Sequence, residues 1–208
     1  MIKLVIFDLD GVLIDACEWH RVALNMALKQ FLNYEIPIEE HYRIYNGLPT
    51  KKKLDILQKR EDFKLEFEDK VLINSFKQAN TMDLIQNEAK RDQSKVDLIN
   101  FLKDRNVQVS CFTNSIRHTT ELMLSQIGVL ELLDVVISNE EVQQSKPDPE
   151  GYNKIMSILK VRPEETIIVE DSPKGLEAAF SSGAKIILPV KNATKVNTTL
   201  FEDICFNI

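Results

Sequence analysis

An α/β fold is predicted, a doubly wound (Rossmann-like) parallel sheet interrupted by an inserted all-helical cap domain. Three observations predict it. The first is the stretch Leu4-Val-Ile-Phe-Asp-Leu-Asp-Gly11, in which four apolar residues run into two carboxylates and a glycine. A short apolar run bounded by turn signals suits a strand buried on both faces of a parallel sheet. The second is a strand-helix-strand alternation from residue 94 onward, the pattern of right-handed βαβ units. The third is the block 16–93 between them, which carries helical periodicity and no convincing strand. The core is therefore expected from 1–15 together with 94–208, and the cap from 16–93.

The elements follow in chain order. After Gly11, a helix is expected from about Cys17 to Phe31, with Trp19, Val22, Ala23, Met26 and Ala27 on one stripe and Leu24, Leu28 and Phe31 on a second. So wide an apolar arc belongs inside a helical bundle. Pro37 and Gly47-Leu-Pro-Thr50 punctuate the next stretch, and residues 50–60 and 65–90 read as helices. Leu54, Ile56, Leu57, Phe67, Val71, Leu72 and Phe76 are their apolar positions. Ser94 is expected to cap a helix carrying Val96, Leu98, Ile99 and Leu102. A strand over Val107–Phe112 ends in Thr113-Asn114-Ser115, and a helix from about His118 closes at Gly128. Strands at Asp134–Ile137, Thr166–Val169 and Lys185–Leu188 alternate with helices at about 150–160 and from Pro173 to near Gly183.

The totals fit a soluble globular chain of 208 residues, 44% hydrophobic and 28% charged, long enough to bury a good core. Its net charge of −6 argues against a broad nucleic-acid or anionic-membrane surface. The block 16–93 holds 13 basic and 13 acidic residues, so the whole negative excess lies in the sheet domain. Cys17, Cys111 and Cys205 are odd in number and far apart, and read as reduced thiols. No apolar run reaches the length of a membrane span, and Leu4–Phe7 is too short for a signal peptide. A cytoplasmic location is expected.

Four segments place functional side chains at strand ends: Asp8 and Asp10 after the first strand, Thr113-Asn114-Ser115 after the second, Lys146 after the third and Glu170-Asp171 after the fourth. A parallel sheet gathers them at its ligand-binding edge. Each has an ordinary alternative: an Asp-Gly turn, a helix cap, a loop Lys-Pro, and acids at a helix start. Together they put four carboxylates beside one lysine, so either protons stay on or a cation is bound. All-oxygen ligands favour Mg²⁺, while the hydroxyl, amide and lysine donors suit a phosphoryl group's oxygens. An EF-hand is excluded, because Gly11 falls too early after Asp8 for that loop.

These motifs resemble those of the haloacid dehalogenase superfamily of phosphotransferases. Asp8-Leu-Asp10-Gly11-Val12-Leu13 is similar to its first motif and Thr113-Asn114-Ser115 to its second. Lys146 in Ser-Lys-Pro-Asp-Pro-Glu is similar to the third, and Val169-Glu-Asp-Ser-Pro-Lys-Gly175 to the fourth. A helical insertion between the first two motifs places the chain near the β-phosphoglucomutase and phosphoglycolate-phosphatase-like branch.

The resemblance implies Asp8 as nucleophile, forming an aspartyl-phosphate, and Asp10 as the acid/base. It implies Mg²⁺ held by Asp8, the Asp10 backbone carbonyl and Asp171, with Glu170 a ligand or a close partner. Thr113, Asn114 and Lys146 would hold phosphoryl oxygens, with Lys146 also orienting Asp8. The dehalogenases that named the superfamily lack an acid/base aspartate at the place of Asp10, so phosphoryl transfer is expected. The expected partner is a small phosphorylated metabolite, such as a sugar phosphate or phosphoglycolate.

Phosphatase is favoured over the alternative, a β-phosphoglucomutase-like phosphomutase. Thr50 stands where the mutases have an arginine that grips the distal phosphate; the run Lys51-Lys52-Lys53 is a candidate substitute for it, with a solvated helix face as its ordinary alternative. His20, Thr50 and Arg117 are candidate substrate contacts. A non-enzymatic phosphoprotein switch is the remaining alternative, disfavoured by the intact acids and lysine.

Overall fold

The computed structural model describes residues 1–60, 64–202 and 204. Five strands, β1 (Leu4–Phe7), β2 (Gln108–Phe112), β3 (Val135–Ile137), β4 (Thr166–Glu170) and β5 (Ile186–Pro189), form one sheet. All pairings are parallel, in the order β3-β2-β1-β4-β5. Every residue of β1 and β4 is buried, as near-continuous apolar strands require when helices cover both faces. Pro189, which cannot donate to a ladder, ends the edge strand β5.

The chain forms two compact units, Met1–Asp15 with Ala89–Ile208, and Ala16–Glu88. The second contains α1 (Cys17–Leu32), α2 (Ile38–Glu40), a π-helical turn at His41–Tyr45, α3 (Thr50–Gln58) and α4 (Phe67–Glu88). The sheet unit contains α5 (Gln93–Lys103), α6 (Arg117–Gln126), α7 (Glu150–Leu159), α8 (Pro173–Ser181) and α9 (Thr199–Glu202). Residues 89–93 group with the sheet unit, a slightly earlier division than the sequence reading drew. The reason is local: Asp92, not Ser94, is the N-cap of α5. Its carboxylate accepts from the backbone N–H of Ser94 and Lys95, and the Ser94 hydroxyl donates to it.

In the helical unit, Leu24, Ala27 and Leu28 of α1 pack with Ile36, Tyr45, Leu54, Leu57, Leu65 and Ile73. Met26 and Phe31, placed on the apolar stripes of α1 by the sequence, are exposed. The buried face of α4 also differs from expectation. Phe67, Val71, Leu72 and Phe76 are exposed, while Ile73, Lys77, Thr81 and Ile85 recur every four residues on the buried face. A hydrophobicity count misses such a face because two of its four members are polar. The described residues contain no helix long and apolar enough to cross a membrane. Cys17 and Cys111 are free thiols; Cys205 lies outside the described residues.

Register fixes the geometry of the strand ends. Phe7 is level with Cys111 on one side and with Val169 on the other. The residues that follow, Asp8, Phe112 and Glu170, therefore leave three adjacent strands at one height. From β1 the chain builds outward through β2 and β3, then crosses to β4 and β5 on the other side. The carboxyl ends around β1 thus form the topological switch point where open α/β sheets bind ligands.

Candidate active site

Asp8 enters the site still tied to the sheet, its N–H donating to the Val169 carbonyl at 3.0 Å. The chain then turns sharply, with Gly11 N–H on the Ile14 carbonyl at 2.7 Å. Gly11 has φ +87°, and a Cβ there would stand 2.2 Å from Asp171 Oδ2. Glycine is required twice over, for the left-handed backbone and for the close approach of the Asp171 carboxylate.

Lys146 is the hub opposite Asp8. Buried to 2% exposure, it donates to Asp8 Oδ1 (2.5 Å), Glu170 Oε1 (2.5 Å) and the Phe112 carbonyl (2.9 Å). The Phe112 and Tyr152 rings flank its ammonium at 4.8 and 5.1 Å. Its backbone is clamped as well, since Asn114 accepts from Lys146 N–H through Oδ1 (3.0 Å) and donates through Nδ2 to the Lys146 carbonyl (3.3 Å). The following peptide, Lys146–Pro147, is cis. Thr113 is buried, its hydroxyl oxygen accepting from Ser115 N–H at 3.1 Å. The Ser115 hydroxyl donates to Asp10 Oδ2 at 2.9 Å. The second motif thus supports both Lys146 and Asp10.

Glu170 is fully buried and saturated. Besides Lys146, Oε1 accepts from the Tyr152 hydroxyl at 2.9 Å. Oε2 accepts from Asp171 N–H (3.0 Å), Ser172 N–H (3.2 Å) and the Ser172 hydroxyl (3.3 Å). Ser172 also caps α8 by accepting from Gly175 N–H. Neither Tyr152 nor Ser115 was among the residues singled out from sequence for a site role. Ser115 lies inside a recognised motif, but Tyr152 lies six residues beyond Lys146 in what the sequence shows only as part of a helix at about 150–160.

The electrostatics follow from gathering four acids, Asp8 and Glu170 buried and Asp10 and Asp171 partly so, around one buried lysine. Burial pushes the Asp8 carboxyl well above its ordinary pKa, Lys146 opposes that rise, and Glu170, Asp171 and Asp10 add to it. Asp171 is raised to about 7, by burial first and then by Glu170 and Asp10. Burial alone would lower the Lys146 pKa, but Asp8 and Glu170 outweigh it and hold the ammonium charged. Carboxyls so raised favour either protons or a cation. Asp8, Glu170 and Asp171 each offer an oxygen within 4.8 Å of the others, a group able to hold a metal ion. Hard carboxylate oxygens suit a hard divalent cation.

The remaining predicted positions are Arg117 in the sheet unit and His20 and Thr50 in the helical unit. Arg117 starts α6 and commits its guanidinium to Glu121 (2.7 Å) and the Val136 carbonyl (2.8 Å). In the helical unit, His20 Nδ1 on α1 lies 3.1 Å from Lys77 Nζ on α4. Thr50 is the first residue of α3, half-buried. Of the lysine run after it, Lys51 and Lys52 are exposed and Lys53 is buried.

A family model for haloacid dehalogenase-like hydrolases matches residues 5–188. The chain belongs to the haloacid dehalogenase-like hydrolases. Among relatives of this family, it is 30% identical over 184 residues to validoxylamine A 7'-phosphate phosphatase of Streptomyces hygroscopicus subsp. limoneus, covering 88% of this chain and 83% of that protein. It is 28% identical over 201 residues to a phosphorylated carbohydrates phosphatase of Thermotoga maritima, covering 95% and 89%. The solved β-phosphoglucomutase of Clostridium difficile shares the fold, with TM-score 0.84 at 20% identity over 98% of this chain and 96% of that one. The two relatives named as phosphatases support a phosphoric monoester hydrolase.

Proposed function

We propose that this haloacid dehalogenase-like hydrolase is a Mg²⁺-dependent phosphatase acting on a small phosphate monoester through an aspartyl-phosphate. The observation that carries the reading is the buried Lys146–Asp8 ion pair at 2.5 Å, set beside Glu170 and Asp171 at the switch point of the sheet. In this reading Asp8 attacks phosphorus, and Lys146 keeps its carboxylate oriented for the attack. Asp10, braced by Ser115, gives a proton to the leaving oxygen and then takes one from the water that hydrolyses the intermediate. Lys146, Thr113 and the loop clamped by Asn114 stabilise the charge that spreads over the phosphoryl oxygens.

Asp8, Asp171 and the Asp10 carbonyl would hold Mg²⁺, with Glu170 fixing the frame around them. The bound ion supplies charge neutralisation that lets anionic carboxylate and anionic phosphate approach. The relatives' names favour a phosphorylated carbohydrate as substrate class and hydrolysis over mutase action. The test is Mg²⁺-dependent release of phosphate from an aryl phosphate, followed by a panel of sugar phosphates. Turnover no greater than that of an Asp8→Asn control refutes the proposal.

A further inference from the structure

The three ammonium protons of Lys146 have three acceptors already: Asp8 Oδ1, Glu170 Oε1 and the Phe112 carbonyl. A lysine has no fourth donor. To hold a phosphoryl oxygen, as the proposed function requires, Lys146 must therefore give up one acceptor. The acceptors differ in what they lose. Asp8 is the group that Lys146 orients for attack, and the Phe112 carbonyl gains no replacement donor from any side chain described above. Glu170 Oε1 already has a second donor, the Tyr152 hydroxyl at 2.9 Å, and its Oε2 keeps three more. An orphaned buried acceptor costs about 1–3 kcal/mol, and Tyr152 removes that cost at Glu170 alone.

The geometry points to Tyr152 as a positioning residue for phosphoryl binding: we propose that its hydroxyl keeps Glu170 Oε1 satisfied while Lys146 turns one ammonium proton from Glu170 to the substrate. Two features of its setting fit this role. Tyr152 is fully buried in contact with the Phe112 ring, centroids 4.9 Å apart and nearly perpendicular, so its hydroxyl has a fixed aim. Its ring also faces the Lys146 ammonium and attracts the cation whichever acceptor is engaged. Tyr152 touches no reacting atom; it acts through Glu170 and Lys146.

The test uses the full chain with Mg²⁺ and inorganic phosphate as probe, read by calorimetry, alongside steady-state hydrolysis of an aryl phosphate. Tyr152→Phe removes one oxygen and leaves the ring. It is expected to weaken phosphate binding and raise KM about tenfold, the typical worth of one hydrogen bond, while kcat changes less than about threefold. In a Lys146→Met background the same change is expected to have no further effect on phosphate affinity. Phosphate affinity in Tyr152→Phe within about twofold of the parent overturns the proposal, as does an equal loss in the Lys146→Met background.

Should Tyr152→Phe fold poorly, 3-fluorotyrosine at position 152 keeps the shape and makes the hydroxyl a stronger donor. Tighter phosphate binding is then expected, and unchanged or weaker binding overturns the proposal. A parent protein that neither hydrolyses the ester nor binds phosphate overturns the phosphatase reading itself. A parent that does both, with Tyr152→Phe unchanged, overturns only the role of Tyr152.

Discussion

Gly175→Ala is expected to damage both stability and turnover, although a glycine-to-alanine change inside a helix normally stabilises by about 0.5–1 kcal/mol. Gly175 lies in the first turn of α8, with its N–H on the Ser172 hydroxyl. A Cβ at this position would stand 1.9 Å from Glu170 Oε1 and 2.0 Å from its Cδ. Non-bonded contact becomes favourable at about 3.5 Å, so the carboxylate must withdraw by about 1.5 Å. A flexible exposed glutamate would simply turn away. Glu170 has no exposed surface and is held by Lys146, Tyr152, Asp171 and Ser172. Moving it that far breaks at least two charge-assisted bonds, about 3–6 kcal/mol in all. That is a large part of the 5–15 kcal/mol (roughly) that stabilises an ordinary domain. Because Lys146 moves with Glu170, turnover is expected to fall on the order of 100-fold. A urea melt and aryl-phosphate kinetics on Gly175→Ala measure both effects. Wild-type midpoint and rate together would refute the reasoning, by showing that α8 can shift without disturbing Glu170.

Other outcomes follow from the same structure. His41 is buried, neither ring nitrogen has a hydrogen-bond partner, and its pKa is lowered to about 3 by burial and then by Lys53 and Arg21. Because the folded value lies below the unfolded one, the unfolded chain takes the proton first. The resulting stability is complete above about pH 6.5 and declines as pH falls, by about 1 kcal/mol at pH 5 once solvent screening is allowed for. His41→Phe should flatten that part of the pH–stability curve, and an unchanged slope would count against it. Chelation should abolish turnover, and restoring Mg²⁺ at 100 times its Kd should raise stability by about 2.7 kcal/mol, visible as a higher melting temperature. Asp171→Asn should remove most of that rise; a full rise in its absence would exclude Asp171 as a ligand. Lys95, buried on α5, donates to the Ala193 and Val196 carbonyls at 2.6 Å each. Lys95→Met orphans both acceptors and should cost about 2–4 kcal/mol in a urea melt, where an unshifted midpoint would be the contrary result.

The sheet and the four strand-end motifs were legible because each announces itself locally. Apolar runs such as Leu4–Phe7 and Thr166–Val169 stop at acids, and parallel topology then brings their ends together without further information. Side-chain economy inside the site was not legible. The second acceptor bond of Glu170 comes from Tyr152, which the sequence places only within a helix at about 150–160, and the clamp by Asn114 depends on a loop 32 residues away in sequence. The helical unit resisted reading for a different reason. α4 buries Lys77 and Thr81 and exposes Phe67 and Leu72, so hydrophobicity points to the wrong face wherever polar groups are buried for another purpose.

The central place of β1 in the sheet has a consequence for biosynthesis. Leu4 pairs with Gln108 on one side and Thr166 on the other, so β1 has no partner strand until about 100 residues have followed it. Neither ladder can close by a short hairpin, and contacts so distant in sequence make for slow assembly. During that interval Leu-Val-Ile-Phe is an unpaired apolar edge, the kind of segment that seeks other chains. The same placement that surrounds Asp8 with its partners in the finished enzyme leaves its strand the longest exposed before the enzyme exists.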